Sequence, residues 1–282
     1  MSTIATKCLA CKDATGQMIA HTIQRRAVGP KDVHIKVSYS GICHSDIHTG
    51  KGEWGPKSYP LCVGHEVVGT VVAVGAEVTK LKVGETAGVG CMVDSCRTCE
   101  ECESGDEQYC SNGGMVGTYG AATSEAKNPG GFTHGGYSSD IVVDEAFTIV
   151  VPAKMHVAAA APLLCAGITC YSPLQKHGVK KGTHLGVVGL GGLGHMAVKI
   201  GVAMGAIVTV ITTSEAKREM ALKARTHAYA HAHAAHGRIH ARTHAHALNT
   251  RAHAPRVSHE QLGSSVTRWA RRPWWLARTR SR

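Results

Sequence analysis

THLGVVGLGGLGHMAVKIGVAMGAIVTVITTS, residues 183–214, changes its periodicity twice within 32 residues. HLGVV is a short apolar run of the kind a buried parallel strand needs, and IVTVIT is a second. Between them GLGGLG places Gly189, Gly191 and Gly194 in the pattern G-x-G-x-x-G, and GHMAVKIGVAM has the apolar spacing of a helix. Strand, glycine turn, helix and strand make one βαβ unit. In that context the turn lets a pyrophosphate reach backbone N–H groups at a helix N-terminus, with Gly189, Gly191, Gly192, Leu193 and Gly194 as its cradle. A glycine turn serving tight packing alone is the competing reading. Ser214 is expected to cap a following helix, with Glu215 in its first turn.

Moving outward, the charge divides at one place. The chain of 282 residues has 31 Lys+Arg against 20 Asp+Glu, a formal charge of +11. Twelve of the basic residues and one acid, Glu260, lie from Lys223 onward, which leaves 19 of each sign in residues 1–222. The body is therefore neutral, and its charge is no argument for nucleic acid as a partner. All 11 cysteines fall between Cys8 and Cys170. Neither a signal peptide nor a membrane span is expected; VAAAAPLLCAGITC is short and interrupted by Pro162 and Gly167, and reads as a buried helix. A soluble cytoplasmic protein follows as the expectation, in which clustered cysteines read as metal ligands before disulfides.

From Asp32 to about Val151 short β-branched runs alternate with glycine turns, which suggests a small, partly open barrel. Within it, CMVDSCRTCEECESGDEQYC spaces Cys96, Cys99, Cys102 and Cys110 as C-x2-C-x2-C-x7-C. Four thiolates at such spacing can close a tetrahedral zinc site, with Zn–S near ~2.3 Å and no open position. An iron–sulfur cluster or four free thiols are the other readings. A second group is weaker by spacing alone. Cys43 in GICHSDIHTG, His65 in GHEVVG and Cys165 in PLLCAG could leave zinc one open position, although a lone Cys and a lone His are more often plain core residues.

The order of these motifs resembles the zinc-dependent medium-chain alcohol dehydrogenases, and within them the cinnamyl alcohol dehydrogenase branch. KDATG, RRAVGPKDV, GICHSDIH, GEWGPKSYPLCVGHEVVG, AGVGCMVDSC, GGYSSDIVVDE and PLLCAGITCYSPL carry the likeness, which runs from about Lys12 to Lys223. The resemblance implies a β plus α/β chain. A GroES-like, partly open β-barrel catalytic domain occupies residues 1–151, and an incomplete doubly wound Rossmann domain binding NADP occupies 152–223. It further implies a catalytic zinc on Cys43, His65 and Cys165, with Glu66 as an exchangeable ligand, and a structural zinc on the four clustered cysteines. Asp46 takes the place of the carboxylate that orients the ligand imidazole, Ser45 that of the hydroxyl receiving the substrate proton, and His48 that of the next relay member. Trp54 resembles the branch's pocket tryptophan, and a core or lid role is equally open. Cys62, Cys91 and Cys170 have no ligand role in the family, and Cys8 with Cys11 reads as two ordinary thiols.

For the cofactor, an acid about 20 residues past the glycines would hold the ribose of NAD. Thr212 stands there instead, followed by Thr213, Ser214 and Lys217, which are placed to meet a 2′-phosphate. Lys217 and Arg218 could equally be the solvated face of a helix. The expectation is NADP, two zinc ions per chain and interconversion of primary alcohols and aldehydes, cinnamyl, aryl or aliphatic. A homodimer is the family's usual assembly.

Beyond Lys223 the likeness stops. THAYAHAHAAHGRIHARTHAHALNTRAHA repeats Ala-His and Thr-His pairs without apolar periodicity, so residues 224–282 are expected to be a disordered tail. A translated simple repeat, a basic His-rich tail binding metal or nucleic acid, and a zinc-binding fragment without catalysis are the readings it leaves open. The chain is accordingly expected to hold structural zinc and to turn over poorly or not at all.

Overall fold

The computed structural model describes residues 3–224 and 226, together with the backbone of strands at 228–232 and 239–242. Strands β1 (Ile4–Cys11) and β2 (Met18–Arg25) form an antiparallel hairpin. Asp13 turns the chain by accepting from the Thr15 N–H at 2.9 Å, and Gly16 takes a φ of +77°. Next comes β3 (Asp32–Ser40), then the short helix α1 (His44–Gly50) and β4 (Val67–Val74). β5 (Thr86–Val89) and β6 (Met92–Asp94) lead into a lobe holding helix α2 (Glu100–Glu103) and β7 (Val116–Gly117). β8 (Asp140–Asp144) and β9 (Thr148–Val150) complete the first part.

One antiparallel sheet in the order β8-β3-β4-β5-β9 carries the main core. Alternation in β3 turns Val33 and Ile35 inward, where they meet Val67, Val71, Leu81, Ala87, Val89, Ile141 and Val143, all buried. Each such aliphatic side chain contributes roughly 1.5–3 kcal/mol through burial. A smaller core forms where Cys8, Ala10 and Ile23 of the hairpin meet Cys62.

His134 borders that smaller core. Its Nδ1 accepts from the Cys62 N–H at 3.4 Å and its ring lies 4.6 Å from that of Phe132. Burial, then the nearby charges of Arg25 and His21, push the imidazole pKa down from 6.5 to about 4. The folded state thus refuses a proton that the unfolded chain accepts. Stability is fully present above pH 6.5 and is lost as pH falls from about 6.5 toward 4, by about 3 kcal/mol over the whole window. Urea denaturation across that range should show a steeper acid loss in the native chain than in His134→Gln. Parallel curves would remove His134 from the account.

After Val151 the chain turns helical. α3 (Val157–Ala160), a 3-10 turn over Ala161–Leu164 and α4 (Ala166–Lys176) replace the single helix expected here. Pro162 opens the 3-10 turn, and Cys165 at φ −123°, ψ −77° breaks the helical path, so the two axes differ by 56°. Among the described residues no single helix is long and apolar enough to cross a membrane. β10 (His184–Val188), α5 (Gly192–Ala203) and β11 (Ile207–Thr212) then form the expected βαβ unit, with β10 and β11 parallel. Val187, Leu190, Val198, Ala206, Val208, Val210 and Ala221 make its separate core. The helix expected from Ser214 begins as a 3-10 turn, Glu215–Lys217, and continues as α6 (Arg218–Lys223).

The sheet does not stop at two strands. β12 (Ala228–Ala232) pairs in parallel with β11, and β13 (Ile239–Arg242) pairs antiparallel with β12. For these nine residues the expected disorder is replaced by strands. A sheet edge offers unpaired N–H and C=O groups, and an extended segment can join it through its backbone without apolar periodicity. The rest of the expected disordered tail lies outside the described residues.

Candidate active site

The four clustered cysteines meet in the lobe after β6. Cys99 caps α2, Cys102 lies within it and Cys110 follows the 3-10 turn Glu107–Tyr109. All four sulfurs lie within 4.8 Å of one another, with Cys96 and Cys102 at 3.8 Å. Between the first two, Arg97 takes a left-handed φ of 63°, which costs a non-glycine residue about 1 kcal/mol. That turn aims the N–H groups of Thr98 and Cys99 at the Cys96 sulfur, at 3.5 and 3.3 Å. These N–H groups, Thr98 first, bring the Cys96 thiol down to about 6. Arg97 is held in place by Asp94 at 2.9 Å, Asp144 at 2.8 Å and the Phe147 ring at 5.2 Å. Sulfurs so arranged, one already inclined to ionise, fit a closed four-thiolate zinc site.

The second group assembles from three distant segments. Cys43, His65, Glu66 and Cys165 bring their ligand atoms within 4.8 Å of one another. Cys43 is the N-cap of α1, and Cys165 is the residue at which the helices break. Asp46, 3% exposed, ties the segments together. Its carboxylate accepts from the Cys43 N–H at 2.9 Å, the Gly64 N–H at 3.1 Å and the Tyr137 hydroxyl at 2.8 Å. It also lies 3.4 Å from Nδ1 of His65, whose nearer partner is the Tyr119 hydroxyl at 2.8 Å. Both tyrosine hydroxyls are held protonated, chiefly by burial.

With Nδ1 engaged, Nε2 of His65 is buried and without a hydrogen-bond partner. Burial disfavours a charged imidazole, yet Cys165, Asp46 and Cys43 outweigh it and push the His65 pKa up to about 9. Burial likewise raises the Glu66 carboxyl. Two thiols, an orphaned imidazole nitrogen and a carboxylate therefore converge where positive charge is favoured. That donor set fits a zinc ion.

Around it, the Ser45 hydroxyl stands 3.5 Å from the Cys43 sulfur. Ser45 and His48 are three residues apart on α1 and so share a face. His48 pairs through Nδ1 with the Glu53 carboxylate and stacks on Trp54, ring centroids 5.0 Å apart. Trp54 is 61% exposed, which excludes a core role.

In the glycine turn, Gly189 has a φ of +84°, and a Cβ on Gly194 would lie 2.0 Å from the Gly189 carbonyl oxygen. The left-handed backbone thus favours glycine at 189, and close packing requires it at 194. Packing does not require the others, because a Cβ on Gly191 or Gly192 meets nothing within 4 Å. Gly191 caps α5 without a side-chain hydrogen bond, so the helix N-terminus faces open space, and Leu193 beside it is half exposed. This open cradle fits a pyrophosphate. At the end of β11, Thr212 is buried and its hydroxyl accepts from the Ser214 N–H at 3.3 Å. Thr213 is exposed, while Ser214 and Lys217 are half-buried beside it.

Residues 29–153 match the alcohol dehydrogenase GroES-like domain. Over 229 residues the chain is 53% identical to NADP-dependent alcohol dehydrogenase C 1 of Mycolicibacterium smegmatis, covering 81% of this chain and 64% of that protein. Residues 29–153 thus carry the GroES-like domain of the alcohol dehydrogenases. Cinnamyl alcohol dehydrogenase 8 of Arabidopsis thaliana is 52% identical over 215 residues, 76% of this chain and 58% of that one. A solved cinnamyl alcohol dehydrogenase from Sorghum bicolor superposes with a TM-score of 0.75 at 47% identity, over 80% of this chain and 64% of that chain. The enzyme from Helicobacter pylori, solved with NADP(H), gives 0.76 at 44%, over 81% and 65%. The chain thus spans less than two thirds of the length of these relatives.

Three side chains of this site make contacts that no spacing in the sequence indicates. Tyr119 and Tyr137 reach His65 and Asp46 from loops, and GGYSSDIVVDE, which contains Tyr137, gives no sign of that contact. Cys91 brings its sulfur to 4.0 Å from the Leu164 carbonyl oxygen, one residue before Cys165.

Proposed function

We propose that this chain carries the zinc-binding and cofactor-binding machinery of an NADP-dependent alcohol dehydrogenase acting on primary alcohols and aldehydes. The observation that carries the reading is the buried, unpartnered Nε2 of His65 facing Cys43, Cys165 and Glu66. Zinc held by Cys43, His65 and Cys165, with Glu66 as an exchangeable ligand, supplies Lewis acidity to an alcohol or carbonyl oxygen. A second zinc on Cys96, Cys99, Cys102 and Cys110 serves the lobe's structure. NADP supplies the hydride acceptor.

The chain's own groups do the rest. Tyr119 and Asp46 fix the ring of His65 so that Nε2 points at the sulfurs. Ser45 receives the substrate proton and passes it to His48. With Nδ1 of His48 engaged by the Glu53 carboxylate, Nε2 is the nitrogen left to accept it. The N–H groups at Gly191, Gly192 and Leu193 take the pyrophosphate, while Gly189 and Gly194 hold the turn. Thr212 and Thr213 offer no carboxylate to repel a 2′-phosphate, and Ser214 and Lys217 meet it. Residues 1–151 and 152–223 act as the catalytic and cofactor domains of this reading. A homodimer in the cytoplasm goes with it, and the balanced charge of residues 1–222 gives nucleic acid no part.

The expected result is two zinc ions per purified chain, falling to one in Cys43→Ala. Aldehyde-dependent oxidation of NADPH, however slow, should exceed the Cys43→Ala background. Lys217→Glu should weaken NADPH at least tenfold and NADH little, since a charged contact to phosphate is worth about 1.5–3 kcal/mol. A chain that loads both zinc ions and binds NADPH, yet shows no oxidation above that background, would overturn the enzymatic reading.

A further inference from the structure

Cys91 stands outside every role assigned so far. It is exposed, whereas Cys43 and Cys165 are half-buried. Its sulfur lies 4.0 Å from the carbonyl oxygen of Leu164, the residue just before Cys165. The backbone explains the approach. A Cβ on Gly90 would come within 2.8 Å of the Leu164 oxygen, and one on Gly88 within 2.8 Å of the Leu164 side chain. Glycine at both positions lets the end of β5 and the 3-10 turn touch. The touching residues, Gly90 and Leu164, each immediately precede one of the two cysteines. A disulfide requires Cα atoms about 4.4–6.8 Å apart, and two chains in contact one residue upstream on each side are placed for it.

We propose that Cys91 and Cys165 form a disulfide when the protein meets a peroxide, withdrawing Cys165 from the metal-binding cluster. The loss of a metal ligand rests on the zinc reading given above; the pairing of the sulfurs does not. The exposed Cys91 sulfur takes one oxygen from hydrogen peroxide, the O–O bond breaks and water leaves, giving a sulfenic acid. The Cys165 sulfur then attacks the Cys91 sulfur. An S–S bond forms, the S–O bond breaks, and the departing hydroxide takes a proton to become the second water. Two thiols lose two electrons and two protons in all, and one peroxide becomes two waters. His65, Glu66 and Cys43 remain, too few to hold the ion as before. Because the step is reversed by a thiol reductant, the site is a reversible modification site beside the reaction centre.

The test uses the zinc-loaded 282-residue chain, limiting hydrogen peroxide, a chromophoric chelator and a peptide map made without reduction. The expected result is a linked pair of peptides containing Cys91 and Cys165, release of one zinc equivalent, and recovery of binding after dithiothreitol and added zinc. In Cys91→Ser the link is absent and zinc release at the same peroxide dose falls at least fivefold. Equal release in Cys91→Ser, or a map in which Cys165 links to Cys43 instead, overturns the proposal. A Cys91–Cys165 link in a chain that never held a second zinc supports the pairing and overturns the zinc reading. The two failures are therefore separable.

Discussion

Cys110→Ser should cost the chain one zinc and leave residues 96–117 open to proteolysis while the parallel sheet stays folded. The lobe has no other interior. None of the residues from Arg97 to Gly114 belongs to the aliphatic cores described above, and the buried apolar atoms there are the sulfurs of Cys102 and Cys110 themselves. Tyr109 and Met115, which could have packed inward, are exposed. Structural zinc sites of this kind contribute apparent binding free energies of about 10–16 kcal/mol, far beyond what a short loop can gather from its own contacts. A serine hydroxyl does not ionise near neutral pH, so three thiolates cannot replace four. The damage should spread only through Arg97, whose contacts with Asp144 and Phe147 tie the lobe to the end of β8. Zinc content by elemental analysis and the sites of limited tryptic cleavage check this. Two zinc ions retained, or an unchanged cleavage pattern around Arg97, would sink it.

That site could be read in the sequence because its four ligands lie within 15 consecutive residues, and so does the glycine turn, whose strand and helix are its immediate neighbours. In both cases geometry is local and spacing reports it. The second metal cluster is the opposite case. Cys43 and Cys165 are 122 residues apart, yet their sulfurs stand 3.9 Å apart. No spacing encodes that approach, and only the likeness to a family singled out the residues. The contacts of Tyr119, Tyr137 and Cys91 are hidden in the sequence for the same reason. Their partners are set by which backbones can touch, as at Gly90 and Leu164. Trp54 was ambiguous because exposure is a property of the fold rather than of the residue. The strands at 228–232 and 239–242 carry no apolar periodicity, and a sheet edge recruits backbone without one.

Arg25→Met should destabilise the chain by roughly 3–5 kcal/mol and weaken the second metal cluster from a distance. Arg25 is 6% exposed and makes no direct bond to a carboxylate. Its Nη1 donates to the His134 carbonyl at 2.5 Å. Nη2 donates to the Gly135 carbonyl at 2.7 Å and the Ser138 hydroxyl at 3.0 Å, and Nε donates to the Asp140 carbonyl at 3.1 Å. Burial lowers its pKa to about 10, which still leaves it charged at neutral pH. Methionine fills much of the volume but donates nothing, so the His134 carbonyl loses the guanidinium, while those of Gly135 and Asp140 are left to the Ser138 hydroxyl and, at Gly135, the Cys62 thiol. Those carbonyls belong to the segment that presents Tyr137, and Tyr137 holds the Asp46 carboxylate that fixes Cys43, Gly64 and His65. The variant should therefore surrender zinc from the Cys43 cluster to a chelator faster than the native chain, while the four-cysteine lobe releases its ion unchanged. Arg25→Lys should recover only part of the loss, because one ammonium cannot reach four acceptors spread over seven residues. Urea denaturation and chelator kinetics measured on the same samples decide it. A change below 1 kcal/mol, or zinc lost equally from both sites, would mean that residues 134–140 are held by something other than the guanidinium.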